Sequence, residues 1–286
     1  MPATIWIDGT FHDRDSAKIS VFDHGLLYGD GVFEGMRTYG GKVFRLHEHV
    51  RRLYDSAKAI ALTVPISMEQ MESVTEELVQ RSGIGEAYLR HVVTRGTGDL
   101  GLDLRNCKVA TVIIICDQLR MFPAERLAAG LKLVTAGTPT PHRESLSPRV
   151  KSLNYLPHVM AKFEGTSVGA DEVLMLDASG FVAEASGQNV FVVKDGVVRT
   201  PPPSAGILKG VTRDVILELC VTHGIPVHED IINRYDVYTA DEVFLSGTAT
   251  EIVPVREVDS RPIGAGCPGV VTQRLREAFH TLVRPG

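Results

Sequence analysis

No stretch of the 286-residue chain is apolar for long enough to cross a bilayer, and Val109 to Cys116 has only the length of a buried strand. A basic excess is missing too. The 30 Lys and Arg stand against 35 Asp and Glu, and a net charge of -5 provides no electrostatic footprint for nucleic acid. Cysteine is scarce and has no CxxC spacing: Cys107, Cys116, Cys220 and Cys267 each lie in or beside an apolar stretch, which predicts buried reduced thiols rather than disulfides or zinc. The ten histidines form no HExxH, and His47 and His49 are two apart on a predicted helix, where they cannot share a face, so no metal is expected. The opening residues, MPATIWIDG, lack the basic start and apolar run of a signal peptide, which makes the cytoplasm the expected compartment. There is no internal repeat and no low-complexity tail.

What is present is an ordinary soluble composition, 44% apolar and 23% charged, with length enough for two lobes that each have a core. Hairpin-linked strands dominate the first part: Thr4 to Ile7 with Thr10 to His12, and Val32 to Tyr39 with Lys42 to Leu46. Helices are predicted from His47 to Leu62 and from Ser67 to Arg81, followed by strands Ala87 to Thr94 and Lys108 to Cys116. The pattern predicts an α+β fold with a small lobe over 1–117, a linker loop over 118–130 and a larger lobe over 131–286.

Chemistry concentrates between Glu184 and Arg213, EASGQNVFVVKDGVVRTPPPSAGILKGVTR. Val215, Ile216, Leu219 and Cys220 recur at helical spacing after Arg213, which makes Thr212 the predicted N-cap. The free N–H groups of that helix start suit a phosphate, and Gly210 lets the backbone come close. Glu184, at a strand end, is placed to meet the other end of the same ligand, and a phosphorylated, nitrogen-containing ring fits both. A second candidate is Lys151, in VKSLNY, just ahead of a helix whose Leu156, Val159, Met160 and Phe163 are expected to form a buried stripe. Asn154 can cap that helix and Pro157 falls in its first turn. A lysine opposes the dipole at a helix start unless it is used there.

The spacing Glu184, Asn189, Phe191, Val198, Thr200, Leu208, Gly210, Val211, Arg213 resembles the signature of the class IV aminotransferases, the fold-type IV pyridoxal-phosphate enzymes, and the resemblance runs over essentially the whole chain. It implies a two-lobed enzyme like the D-amino-acid aminotransferases in fold, with a barrel-like sheet in the larger lobe, and pyridoxal 5'-phosphate as cofactor. It implies Lys151 as the catalytic Schiff-base lysine, Tyr155 on the ring hydroxyl oxygen, Glu184 on the pyridine nitrogen, and Arg52, Gly210, Val211, Thr212 and Thr248 around the phosphate. Thr248 and Ala249, in the SGTAT turn, would also meet the substrate carboxylate. Active sites at a lobe junction of a homodimer are implied as well.

Substrate choice is read from three segments. Tyr88 and Arg90 alternate onto one face of a strand, similar to the tyrosine-x-arginine pattern of branched-chain aminotransferases, while His91 faces the other way. Tyr28, Phe33 and Arg37 also match pocket residues of the family, so an aliphatic side chain and the distal carboxylate of glutamate would share one pocket. The implied reaction is ping-pong amino transfer from leucine, isoleucine or valine to 2-oxoglutarate. Alternatives of the same fold are a D-amino-acid or (R)-amine aminotransferase and an aminodeoxychorismate lyase; a catalytically silent binder would need no electron sink such as Glu184 provides. Gly96 to Gly101 satisfies GxGxxG, but the six residues before the next strand leave no room for the helix that a dinucleotide would need.

Overall fold

A computed structural model describes residues 4–119 and 123–284, which divide into two units. Unit 1 comprises Met1–Arg120 and Val150–Asn154, and unit 2 comprises Met121–Arg149 and Tyr155–Gly286.

Unit 1 runs β1 (Thr4–Ile7), β2 (Thr10–Asp13), α1 (His24–Tyr28), β3 (Gly31–Tyr39), β4 (Lys42–Val43), α2 (Leu46–Ala59), α3 (Met68–Ser82), β5 (Ala87–Thr94) and β6 (Thr111–Gln118). Its six strands pair in the order β2-β1-β6-β5-β3-β4. The helices cover one face, where Val50, Leu53 and Ala57 of α2 and Met71 and Leu78 of α3 meet Val32, Met36, Leu89 and Val93 in a buried apolar core. Helix α3 starts on a capping box between Ser67 and Gln70 and stops at Gly83, whose φ of 63° glycine takes without strain. Tyr39 and Lys42 pair directly, and the predicted second arm of that hairpin stops at Val43 because α2 begins at Leu46.

Unit 2 runs α4 (Ala124–Ala129), β7 (Leu131–Thr135), α5 (Leu156–Ser167), β8 (Glu172–Leu176), β9 (Val182–Ala185), β10 (Asn189–Lys194), β11 (Val197–Thr200), α6 (Val211–Thr222), β12 (Val227–Glu229), α7 (Arg234–Tyr238), β13 (Glu242–Gly247), β14 (Glu251–Val258), β15 (Arg261–Pro262) and α8 (Val270–Val283). The strand order is β12-β11-β10-β13-β14-β7-β8-β9, and Asn189 pairs with Glu184 to join β9 back to β10. That pairing closes β10, β13, β14, β7, β8 and β9 into a ring, the barrel-like sheet expected of the larger lobe. Leu131, Leu133, Leu174, Val190, Val192, Leu245 and Val253 belong to its core.

Four expectations are corrected. The segment 118–130 is not all loop, since α4 occupies Ala124–Ala129, while residues 120–122 lie outside the described residues. Val150–Asn154 belongs to unit 1 although its neighbours in sequence are in unit 2, because the Phe33 N–H donates to the Lys151 carbonyl and the Leu153 N–H to the Gly31 carbonyl, both at 2.9 Å. Asn154 does not cap α5: its amide donates to the Gly29 carbonyl at 3.0 Å, and Tyr155 occupies the N-cap without a side-chain capping bond. The α5 stripe of Leu156, Val159, Met160 and Phe163 is exposed at 68%, 57%, 46% and 61%; the helix instead buries His158, Ala161 and Gly165. A Cβ on Gly165 would lie 2.5 Å from Val173, so that side of the helix packs down on β8 through small residues.

Candidate active site

Lys151 owes its place to β3. Its carbonyl accepts from Phe33, its N–H donates to Ser56 Oγ of α2 at 3.2 Å, and Ser152 bridges to Val32. These bonds leave the ammonium 4.6 Å from the centre of the Phe33 ring. Arg90 of β5 lies over the same ring at 4.6 Å, and its guanidinium donates to the Tyr88 hydroxyl at 3.1 Å. Register explains the grouping: Gly35 opposes Arg90 and Arg37 opposes Tyr88, so Phe33, Gly35, Arg37, Tyr88 and Arg90 share one face of the β3–β5 pair. Gly35 is needed for closeness, since a Cβ there would lie 2.2 Å from the Tyr88 hydroxyl. Arg37 is buried, donates to Glu86 at 3.0 Å and stacks on Tyr39. Tyr28 is not on this sheet; it ends α1, and its hydroxyl accepts the Gly101 N–H at 2.8 Å.

The opposite face of β3 holds Glu34, a carboxylate that sequence reading did not single out, and the expected phosphate residue Arg52 meets it there. Arg52 Nε and Nη2 donate to Glu34 Oε1 and Oε2 at 2.6 and 2.8 Å, and His49 Nδ1 donates to Oε2 at 2.9 Å. Burial alone would raise the Glu34 carboxyl, but the Arg52 charge and the His49 bond overcome it and hold the group well below the carboxylate range. His49 is pushed below its ordinary value by burial, aided by the positive charges of Arg52 and Lys151, so it donates as a neutral imidazole. The sequence signal for Glu34 is slight, a carboxylate inside an otherwise apolar start to a strand.

In unit 2 a series of contacts runs from Tyr155 through Glu184 to Gly210. Tyr155 stacks on His158 with ring centres 4.5 Å apart, and His158 Nε2 is 3.5 Å from Glu184 Oε1. The Leu208 N–H donates to Glu184 Oε2 at 3.0 Å, while the Asn189 amide donates to the Leu208 carbonyl at 2.8 Å. Asn189 in turn abuts Gly210, where a Cβ would lie 2.1 Å from its Oδ1. Gly210, not Thr212, is the N-cap of α6 and offers no capping side chain, so the N–H groups of the first turn lack a side-chain acceptor. Val211 and Thr212 form that turn. Ser246, paired with Asn189, and Thr250 carry buried hydroxyl oxygens without a hydrogen-bond partner, at either side of the turn that holds Thr248 and Ala249. Uncapped N–H groups, bare hydroxyls and a close-approach glycine are what an anion such as phosphate requires. Arg213 itself is fully buried and donates to the Pro201 carbonyl at 2.9 Å and to Glu229, which makes it a brace for the helix start.

Unit 1 thus offers a half-buried lysine amine beside an aromatic ring. Unit 2 offers a buried carboxylate backed by one backbone N–H, and an uncapped helix start behind a glycine. Each is something that group transfer on a phosphorylated cofactor demands. Residues 31–258 match the Amino-transferase class IV family, and the chain belongs to it. Among similar proteins is the branched-chain-amino-acid aminotransferase of Pseudomonas aeruginosa, 40% identical over 98% of this chain and 92% of its own length. That of Escherichia coli is 36% identical over 97% and 92%. The crystal structure of an Escherichia coli branched-chain amino acid aminotransferase superposes with a TM-score of 0.96 at 35% identity, covering 100% of this chain and 96% of that one. A branched-chain amino acid aminotransferase from T.th., solved with pyridoxamine 5'-phosphate, gives a TM-score of 0.94 at 36% identity, over 100% and 96%.

Proposed function

We propose that the chain is a pyridoxal 5'-phosphate-dependent aminotransferase that moves the amino group of leucine, isoleucine or valine to 2-oxoglutarate. The observation that carries this reading is the Lys151 ammonium, tied by its own backbone to β3 and set over Phe33. When bound, the cofactor supplies an electron-poor ring that accepts the electron pair left when the substrate Cα–H bond breaks. Lys151 would take that proton from the substrate Cα as the general base and hold it on its amine. Glu184 keeps a proton on the ring nitrogen, held in line by the Leu208 N–H. Tyr155 donates to the ring oxygen, and the first turn of α6, Thr248 and Arg52 bind the phosphate. Glu34 fixes Arg52 through two bonds and thereby limits how far the guanidinium can swing.

Specificity is assigned to the β3–β5 face. Phe33 and Tyr88, with Tyr28, form the wall for an aliphatic side chain, while Arg37 or Arg90 pairs with the distal carboxylate of the 2-oxo acid; Thr248 and Ala249 meet the carboxylate at Cα. His91 is fully buried on the other face of β5, which favours the branched-chain reading over the D-specific one. The exposed apolar side chains of α5 support a homodimer, and no helix among the described residues is long and apolar enough to cross a membrane, which fits a cytoplasmic enzyme.

Borohydride reduction of the purified protein followed by peptide mass analysis is expected to find a pyridoxyl group on Lys151. Lys151→Ala is expected to lose both the label and turnover, by at least ~1,000-fold. A label on another lysine, or a Lys151→Ala protein that still turns over, contradicts the assignment. Assays with L-leucine, D-alanine and an (R)-amine against 2-oxoglutarate separate the substrate alternatives, with L-leucine expected to be fastest.

A further inference from the structure

We propose that His158 is a positioning residue that locks Tyr155 and Glu184 into one rigid pair, stacking on the phenol and donating Nε2–H to the carboxylate. The proposal rests on the reading in which Tyr155 and Glu184 face the cofactor ring. His158 sits in the first turn of α5 and is 8% exposed. Its ring lies nearly parallel to that of Tyr155, at an interplanar angle of 18° and 4.5 Å between centres. Its Nε2 points at Glu184 Oε1 from 3.5 Å, the long end of a hydrogen bond, while the other carboxylate oxygen accepts from Leu208. Each Glu184 oxygen therefore has its own protein donor, and the plane of the carboxylate is fixed from two sides.

The tautomer follows from His158 Nδ1, which is buried without a hydrogen-bond partner. A bare acceptor is tolerated far more often than a bare N–H, so the proton belongs on Nε2, facing Glu184. His91 shows the same choice within this chain. Thr75 gives its own proton to the Met71 carbonyl and must accept from His91 Nε2, which leaves His91 Nδ1 as the bare atom. An imidazole buried only for packing would be better replaced by an apolar ring. The directed bond of His158 is to the carboxylate that the proposed chemistry needs.

The first test uses wild-type protein labelled with nitrogen-15 at histidine, without cofactor, and needs no assay. The His158 resonances are expected to show Nε2 protonated and Nδ1 bare, and Glu184→Gln to shift Nε2 more than any other histidine nitrogen. A protonated Nδ1 overturns the proposal, and this result stands even if borohydride finds no cofactor on Lys151. The second test compares His158→Phe, which keeps the stack, with His158→Gln, which keeps a donor, both checked for wild-type melting. In His158→Phe the absorbance band of the bound cofactor is expected to shift and kcat to fall about tenfold, with KM for leucine within about twofold. His158→Gln is expected to recover most of the lost kcat. An unchanged spectrum and kcat in His158→Phe, or equal loss in both variants, assigns His158 to packing alone and overturns the proposal.

Discussion

Among single residues, the deepest polar atoms in unit 1 lie on the side of β3 and β5 away from Phe33. Glu34 is charged there only because Arg52 and His49 meet it, and His91 is neutral because burial pushes its imidazole down to about 3. Both groups have folded values below their unfolded ones, so the unfolded chain binds more protons as pH falls and the native state loses stability. His91 provides its full contribution above the ordinary histidine value of about 6.5, and that is lost as pH falls toward about 3. Glu34 adds to the loss only below the ordinary carboxylate range. The urea midpoint is therefore expected to fall between pH 7 and pH 4, with a slope near ~1.4 kcal/mol per pH unit for each group titrating. His91→Leu should reduce the slope between about pH 6.5 and 4.5, before Glu34 titrates, leaving the part that His49 contributes. A midpoint that holds steady to pH 4 would show that His91 takes up a proton as readily in the folded chain as in the unfolded one.

Of the helices and strands, α6 carries the anion end of the proposed site, and its start depends on one absent side chain. Gly210 has an ordinary φ of -70°, so glycine is there for closeness and not for a left-handed turn. In Gly210→Ala the new methyl must displace Asn189, whose amide holds the Leu208 carbonyl, and Leu208 in turn holds Glu184. One methyl is thus expected to disturb both ends of the cofactor site. Equilibrium dialysis should show pyridoxal 5'-phosphate binding at least ~10-fold weaker, a loss of about 1.4 kcal/mol, while circular dichroism keeps its wild-type form. Unchanged binding would mean that the phosphate does not approach α6 at Gly210. Sequence spacing located this helix to within two residues, because Val215, Ile216 and Leu219 repeat at helical period, but it put the N-cap at Thr212 since a hydroxyl is the usual cap. In an anion site the cap is left open for the ligand.

For the chain as an assembling body, the exposed stripe of α5 has consequences that no single residue has. Four large side chains at helical spacing, Leu156, Val159, Met160 and Phe163, face solvent in a lone chain. Their burial against a second copy would be worth roughly 1.5–3 kcal/mol per side chain removed from water. Under the proposed homodimer, Val159→Glu with Phe163→Glu is expected to give a monomer in light scattering coupled to size exclusion where the unaltered protein gives a dimer; a double variant with an unchanged mass contradicts an α5 interface. The sequence pattern marked these residues as one stripe and expected it buried, whereas all four are exposed, since periodicity reports a shared face and not what lies against that face.

Sequence alone pointed to the family, which the class IV match shows, and to the residues to test, because the spacing from Glu184 to Arg213 and the segment VKSLNY around Lys151 and Tyr155 carry the resemblance. It also determined most strands and helices, whose periods are local properties of the chain. Tertiary structure alone decided that Val150–Asn154 belongs to the unit of β3, that the Asn189–Glu184 pairing closes the sheet, and that Glu34 and His158 stand behind Arg52 and Glu184. Each of these is a contact between separate elements, set by which buried donor can reach which acceptor, and a linear pattern carries no record of that matching.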